Sequence, residues 1–424
     1  MDQLIASRAF AGIGGGGINA VGVILISDIV PLRSRGTWQG ILNLIFGLGV
    51  ASGGPIGGFL ADTVGWRWAF LGQAPITVIA ILMVAFTLHI PEAPMGPAGT
   101  IPGVSSKRAK LRRVDFAGAL TLVSAVSCLL ISLDLGVNSI NYQFSSPFTQ
   151  SLLVASILFF FAFYHVENSY AAEPFCPPPL VKRREILAPC MTNFFCFAAL
   201  TPVVFHIPLF FQAVLGSSAT VAGQMLIPMI FGGMVGSVSG GVFIQKTGRY
   251  YWLIYIAQLA QILGVSVILT SMMVSGTGPS ERTILGFILP GMVVFNVGFS
   301  ISITSLLIAL ISNVTTEDQA VVIAVSYLFR SIGSVVSLSF SALCVQQGLR
   351  RRLLRNLGDR DDVGEIIRKA TRDLDFIGEL EPDVAVIVRK AYQGGISDAV
   401  ALGMGLALLA WVSSWYIREV RVKK

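Results

Sequence analysis

Eleven stretches of this chain stay apolar for about twenty residues at a time, the length a helix needs to cross the hydrocarbon core of a bilayer. They cover about 4–27, 37–61, 67–89, 115–136, 149–167, 187–214, 219–243, 250–272, 283–311, 319–346 and 397–417. Nothing else in the sequence limits the fold as tightly. Lipid offers no water to backbone N–H and C=O groups, so a spanning segment must satisfy them by itself, as a helix, or in a closed barrel. The runs are much longer than the nine to eleven or so residues of a barrel strand. The expected fold class is therefore an all-α polytopic membrane protein with about eleven transmembrane helices. Composition agrees: 12% of residues are charged, against about 25% in a soluble domain, and the mean hydropathy is +0.74.

The charges orient these spans. With the 28–36 loop in the cytoplasm, the loops on that side are 28–36, 90–114, 168–186, 244–249 and 312–318, together with the tail from 418; they hold sixteen Lys and Arg residues. The short loops on the other side hold two, counting Arg67 at the edge of its span. Such an asymmetry fixes topology, placing the C-terminus in the cytoplasm and residue 1 outside. It also accounts for the net charge of +7 without nucleic acid, and no nucleic-acid partner is expected. The segment 347–396 falls outside with ten basic and nine acidic residues, near neutrality. Within it Val363, Ile366, Ile367, Ala370, Leu374 and Ile377 recur at helical spacing, which reads either as an amphipathic helix on the protein or membrane face or as a solvated connector.

Chemistry-bearing clusters are scarce. The five cysteines form no CxxC pair, so neither zinc nor redox chemistry is indicated. Three scattered histidines argue against a metal site and against a membrane-embedded enzyme, and no cofactor is expected. Residues 8–20, RAFAGIGGGGINA, carry the GxGxxG spacing of a dinucleotide loop at Gly12, Gly14 and Gly17. Such a loop needs a preceding strand in a βαβ unit, and here the run continues into one apolar span. On a helix, Arg8, Gly12, Gly15 and Asn19 share a face: a cation, a smooth groove, then an amide. Glycines let backbones approach closely in lipid. A charge inside a span normally faces the bundle interior or a wet cavity. Arg8, close to the outer end, does that or snorkels outward. Arg330 lies eleven residues into its span, where snorkelling is harder; a structural cation held by backbone carbonyls is the alternative there.

Further glycines fall at spacings of four: Gly49, Gly53 and Gly57, then Gly54 and Gly58, with Pro55 between them, and Gly232, Gly236 and Gly240 in a later span. These read as packing stripes, or as a hinge or sliding seam. LISDIV (25–30) and LISNVT (310–315) echo each other, each ending a span before a polar turn. Transporters often consist of related halves.

The ordered motifs carry a resemblance. SRAFAGIGGGG (7–17) resembles the fourth-helix motif of the major facilitator superfamily, and GLGVASGGPIGG (47–58) its fifth-helix antiporter motif. LISDIVPLRSRGTWQG (25–40) is similar to the loop between those helices, and GWRWAFLGQAPI (65–76) to the start of the sixth. PLFFQAVLGSSATVAGQMLIP (208–228) looks like the start of the C-terminal half, and GGVFIQKTGRY (240–250) like a degenerate cytoplasmic loop motif. Together they resemble the fungal, fourteen-helix drug–proton antiporter branch, which includes vacuolar basic amino acid transporter-like members. Two departures stand out. Pro55 sits one place later than in the family pattern. Gly72-Gln73 replaces the Ile-Asn common in drug exporters, which leans toward the vacuolar subgroup.

The resemblance implies that the spans correspond to helices four to fourteen of a longer protein, with three helices preceding residue 1. It implies the remainder of an N-terminal bundle at 1–89, a linker with two extra spans at 90–186, and a C-terminal six-helix bundle at 187–424 with the long polar loop at 347–396. The implied activity is secondary transport by alternating access: proton-coupled antiport of a small organic substrate, either basic amino acids into the vacuole or drugs out of the cytoplasm. The protein would be monomeric in the vacuolar or plasma membrane. Arg8, Asn19 and Arg330 are the candidate coupling and cavity residues. Gly12, Gly15, Gly49, Gly53, Gly54, Pro55, Gly57 and Gly58 are the candidate packing and gating positions. Asn193, Phe194, Phe195, His206 and Gln212 are candidate substrate-cavity groups, with a core histidine the alternative for His206. Asp28 and Asp134 lie only at span ends, so no acidic coupling partner lies deep in a span. The competing expectation is an incomplete, non-transporting fragment or accessory membrane protein.

Overall fold

The computed structural model describes residues 2–87, 115–138, 146–170, 176–274, 281–315, 318–358, 363–372, 374 and 376–420. The 90–114 part of the expected linker lies outside them, as do the side chains of Asn19, Asp28, Pro55 and Asp134 and the surroundings of Gly54 and Gly58. The described elements are all helical: α1 (Asp2–Ile29), α2 (Leu32–Thr63), α3 (Trp66–Leu71), α4 (Gln73–Thr87), α5 (Phe116–Asn138), α6 (Pro147–Ser169), α7 (Pro178–Val181), α8 (Arg184–Ala213), α9 (Ala219–Gln224), α10 (Ile227–Thr247), α11 (Tyr251–Val274), α12 (Glu281–Ser312), α13 (Gln319–Leu357), α14 (Val363–Arg372), α15 (Phe376–Glu379) and α16 (Pro382–Ser414). Ten helical stretches among the described residues are long and apolar enough to span a membrane. α2 runs unbroken for 32 residues through the remaining expected span.

Six long helices, α8, α10, α11, α12, α13 and α16, pack on one another. Glycine sets how closely. On α10, Gly232, Gly236 and Gly240 meet Val293, Val297 and Ile301 of α12, two rows stepping in register. A Cβ at Gly236 would stand 2.6 Å from the Val297 carbonyl oxygen, so only hydrogen fits. α2 lies against the other side of α10: a Cβ at Gly40 would come within 2.9 Å of the Ser237 carbonyl oxygen, and one at Gly47 within 3.1 Å of Met234. Asn43 Nδ2 donates to Ser237 Oγ (2.8 Å), which bonds Thr304 (2.9 Å) and so ties α2, α10 and α12 together. Gly49, Gly53 and Gly57 lie on the opposite face of α2, where a Cβ would meet nothing within 4 Å. Among the described glycines of α2, those that touch α10 are therefore Gly40 and Gly47, not Gly49, Gly53 and Gly57.

α5 and α6, the two helices of the expected linker, form a hairpin. Ser132 Oγ donates to the Thr149 carbonyl (3.0 Å) and Ser156 Oγ to the Ala125 carbonyl (2.8 Å). The 347–396 segment is largely helical: it continues α13, forms α14 and begins α16. The apolar positions of α14 turn inward. Val363, Ile366 and Ala370 are buried beside Ile377, Val384 and Val388, and the Tyr392 hydroxyl donates to the Ala370 carbonyl at 2.7 Å. The amphipathic reading holds, and the helix packs on protein. At 39 residues and about 1.5 Å per residue, α13 is far longer than the roughly 30 Å hydrocarbon core, so its C-terminal end must project beyond the membrane.

The two echoed turns meet. Arg35, after LISDIV, donates through Nη1 to Gln319 Oε1 (2.9 Å), just after LISNVT. On the same side, α10 ends at Gly248, whose φ of 68° needs a glycine. The fully buried Tyr250 follows. Its hydroxyl donates to the Arg418 carbonyl (3.1 Å) and accepts from Val420 N–H (2.8 Å), and burial raises its pKa. Tyr250→Phe should speed tryptic cleavage after Arg418 and cost about 1–2 kcal/mol in stability. Gly236→Val should lower the thermal midpoint of the detergent-solubilised protein by the equivalent of about 1–3 kcal/mol or more, while Gly53→Val leaves it near the parent value. Fluorescence-detected gel filtration after heating measures both.

Candidate functional site

α8 and α13 run side by side and are joined by polar pairs. Asn193 Nδ2 donates to Ser326 Oγ (3.0 Å). Thr201 and Ser334 hydroxyls pair at 3.1 Å. Ser337 Oγ donates to the Ala198 carbonyl at 2.5 Å. The His206 ring Nε2 pairs with Ser341 Oγ at 2.9 Å. Two of these rungs share one chain offset, 193 with 326 and 201 with 334. Midway between them, at the same offset, Arg330 faces Phe197.

That rung is different in kind. The Arg330 guanidinium lies over the Phe197 ring at 5.4 Å and the Tyr327 ring at 4.8 Å. The residue is 6% exposed, and its Nε and Nη2 have no hydrogen-bond partner. No ion pair involves it among the described residues. Aromatic faces give a desolvated cation about 2 kcal/mol or more each, which offsets part of an effective desolvation penalty of several kcal/mol. Arg330 is eleven residues from Gln319, about 16 Å along the axis, near mid-depth in a bilayer of roughly 30 Å.

Other buried acceptors on α8 and α11 also lack partners. Asn193 Oδ1, Gln258 Oε1 and Gln261 Oε1 are buried without hydrogen bonds. Gln258 Nε2 donates to Cys196 Sγ (2.8 Å) and Ser302 Oγ (3.2 Å), and Gln261 Nε2 reaches the Cys196 carbonyl at 3.4 Å. The cluster therefore joins α8, α11, α12 and α13. Phe197 and Tyr327, whose rings lie at the cation, also pack against an apolar group that includes Val23 of α1, as do Ile24 of α1 and Leu42 of α2.

Of the expected site residues, the seam gathers Asn193, His206 and Arg330. Phe194 and Phe195 pack edge to face at 5.2 Å, and the Phe194 carbonyl lies against Gly333, where a Cβ would collide with it. Gln212 is farther along α8, donating to the Pro208 carbonyl at 3.4 Å. Arg8 is elsewhere: exposed on α1 with Phe70 beneath its guanidinium at 5.5 Å. It stands fifteen residues, about 22 Å of helix, before Val23. Cβ atoms at Gly12 and Gly15 would meet nothing within 4 Å. An open groove of about 800 Å³ between α2 and α10 is lined by Leu44, Leu48, Phe231 and other apolar side chains, with Ser239 and Lys246, and lacks convergent polar groups. The stripe Ser326, Arg330, Ser334, Ser337, Ser341 is visible in the sequence at steps of four, four, three and four. A reading based on charges and glycines passes over it, because serine is unremarkable in a membrane helix until its partner is known.

Residues 1–338 match the family described as Major Facilitator Superfamily. The chain belongs to that superfamily. It is a multi-pass membrane transporter and not an enzyme. It is 34% identical to Multidrug resistance protein fnx1 of Schizosaccharomyces pombe over 100% of this chain and 76% of that protein. It is also 34% identical to Vacuolar membrane amino acid uptake transporter fnx2 of the same yeast, over 98% and 69% of the two chains. Against Vacuolar basic amino acid transporter 2 of Saccharomyces cerevisiae it is 30% identical, over 96% and 84%.

Ser341→Ala leaves the 7% exposed His206 without its partner and should cost about 1–3 kcal/mol. Replacing both members of a rung, Thr201→Val with Ser334→Ala, should cost under about 1 kcal/mol. Thermal unfolding in detergent distinguishes the two.

Proposed function

We propose that this transporter is a proton-coupled antiporter that moves basic amino acids from the cytoplasm into the vacuole, with its C-terminus cytoplasmic. The single observation that carries the reading is Arg330: a cation held near mid-depth between α8 and α13, with no counter-ion among the described residues. Intramembrane charges are retained where they meet substrates or ions. Two of the relatives are named for vacuolar amino acid uptake, which supports the substrate class and compartment. Alternating access would follow from one group of helices rocking against the other: 1–89 with α2 as its contact, and 187–424 on the far side of the α2–α10 seam. Arg8 orients the proton-coupling network in this scheme, and Asn19, Gly12 and Gly15 continue its face.

Export of drugs from the cytoplasm is the second reading, favoured by the relative named for multidrug resistance. One experiment separates them. Radiolabelled lysine or arginine uptake is measured in vacuoles from a strain expressing the chain, beside drug resistance of the same cells. The proposal expects uptake that collapses when a protonophore removes the pH gradient, with no gain in resistance. Resistance without uptake assigns drug export instead. Arg8→Ala should abolish gradient-driven uptake while membrane abundance stays normal; undiminished uptake would remove Arg8 from coupling.

A further inference from the structure

Two neighbouring rungs of the α8–α13 seam leave buried polar atoms without partners. Arg330 carries a full charge, is 6% exposed and keeps Nε and Nη2 unpartnered. The residue facing it, Phe197, offers only a ring face. One rung away, Asn193 spends its amide N–H on Ser326 and leaves Oδ1, fully buried, with nothing to accept. The vacant donors and the vacant acceptor are thus of opposite sense and about one helical turn apart. A guanidinium edge takes a planar carboxylate through paired N–H groups, and an amide oxygen takes an ammonium hydrogen. Chloride or a fatty acid would satisfy the first and leave the second bare. Phe197 and Tyr327, whose rings lie at the guanidinium, are half-buried, so a ligand would reach it by displacing side chains that are themselves partly exposed.

We propose that Arg330 and Asn193 form a subsite for the charged end of a free α-amino acid, with the carboxylate on the Arg330 guanidinium and the α-ammonium on Asn193 Oδ1. This rests on the amino acid reading above and adds the residues that recognise the substrate's common end. It leaves the amino acid side chain to be read elsewhere. It also explains why the protein tolerates a buried cation: the charge is compensated only when substrate arrives. Removing one member of a compensated buried pair is strongly destabilising, whereas removing an uncompensated charge is not.

The test uses the purified chain in detergent and reads thermal stabilisation by lysine and by cadaverine, which is lysine without its carboxylate. Wild type should be stabilised by lysine and at least tenfold less sensitive to cadaverine. Arg330→Gln should lose at least tenfold in lysine affinity and leave the cadaverine response unchanged, with a ligand-free midpoint equal to or above wild type. Arg330→Lys should recover part of the lysine response. Asn193→Leu should weaken lysine but leave 6-aminohexanoate, which has no α-ammonium, unaffected. Equal response of wild type to lysine and cadaverine, no response to lysine, or lysine binding unchanged in Arg330→Gln would each overturn the subsite. A lower ligand-free midpoint in both Arg330 variants with lysine affinity retained would overturn it in favour of a structural cation. Lysine binding that depends on Arg330 in a protein that takes up no lysine in vacuoles would uphold the subsite and refute the transport reading.

Discussion

In hydrocarbon, a backbone polar group without a partner costs several kcal/mol, and no water can relieve it. The long elements of this chain answer that requirement one helix at a time. Once each helix has satisfied its own backbone, apolar side chains gain little by meeting each other rather than lipid tails. Association must then come from close packing and from side-chain hydrogen bonds. α10 and α12 use the first, with glycine facing a carbonyl at Gly236. α5 with α6, and α8 with α13, use the second, through serine, threonine and asparagine.

The same constraint gives Arg330 its significance. In water an unpaired arginine is unremarkable. Between α8 and α13 two of its nitrogens are buried without partners, and the Asn193 amide oxygen of the adjacent rung is unpartnered too. A seam built only for stability would close that rung with a serine or leave it apolar. The aromatic rings beside the guanidinium soften the penalty and keep the site dry, where any charge that does enter is felt strongly.

α2 connects this region to the first helices. Its Gly40 and Gly47 face α10, and Asn43 reaches Ser237 and, through it, Thr304. Arg35 and Gln319 join the starts of α2 and α13 at one end. That bond is only part-buried, and it lies at an end of the helices and not between rungs of the seam.

The sequence by itself determined the spans and the family, because both depend on quantities local in the chain: hydropathy over about twenty residues and ordered motifs. It also exposed Arg330, since any charge that deep in an apolar run stands out. What it did not determine was which faces meet. Gly49, Gly53 and Gly57 read as a packing stripe, yet a half-turn of α2 directs Gly40 and Gly47 at α10 instead. The serines of α13 looked ordinary until α8 was laid beside them at a constant offset. A helix carries every face it could use in its own sequence. Which face is used, and which rung of a seam is left unfilled, is decided by the partner helix, and for the α2–α10 and α8–α13 seams that partner is more than a hundred residues away in the chain.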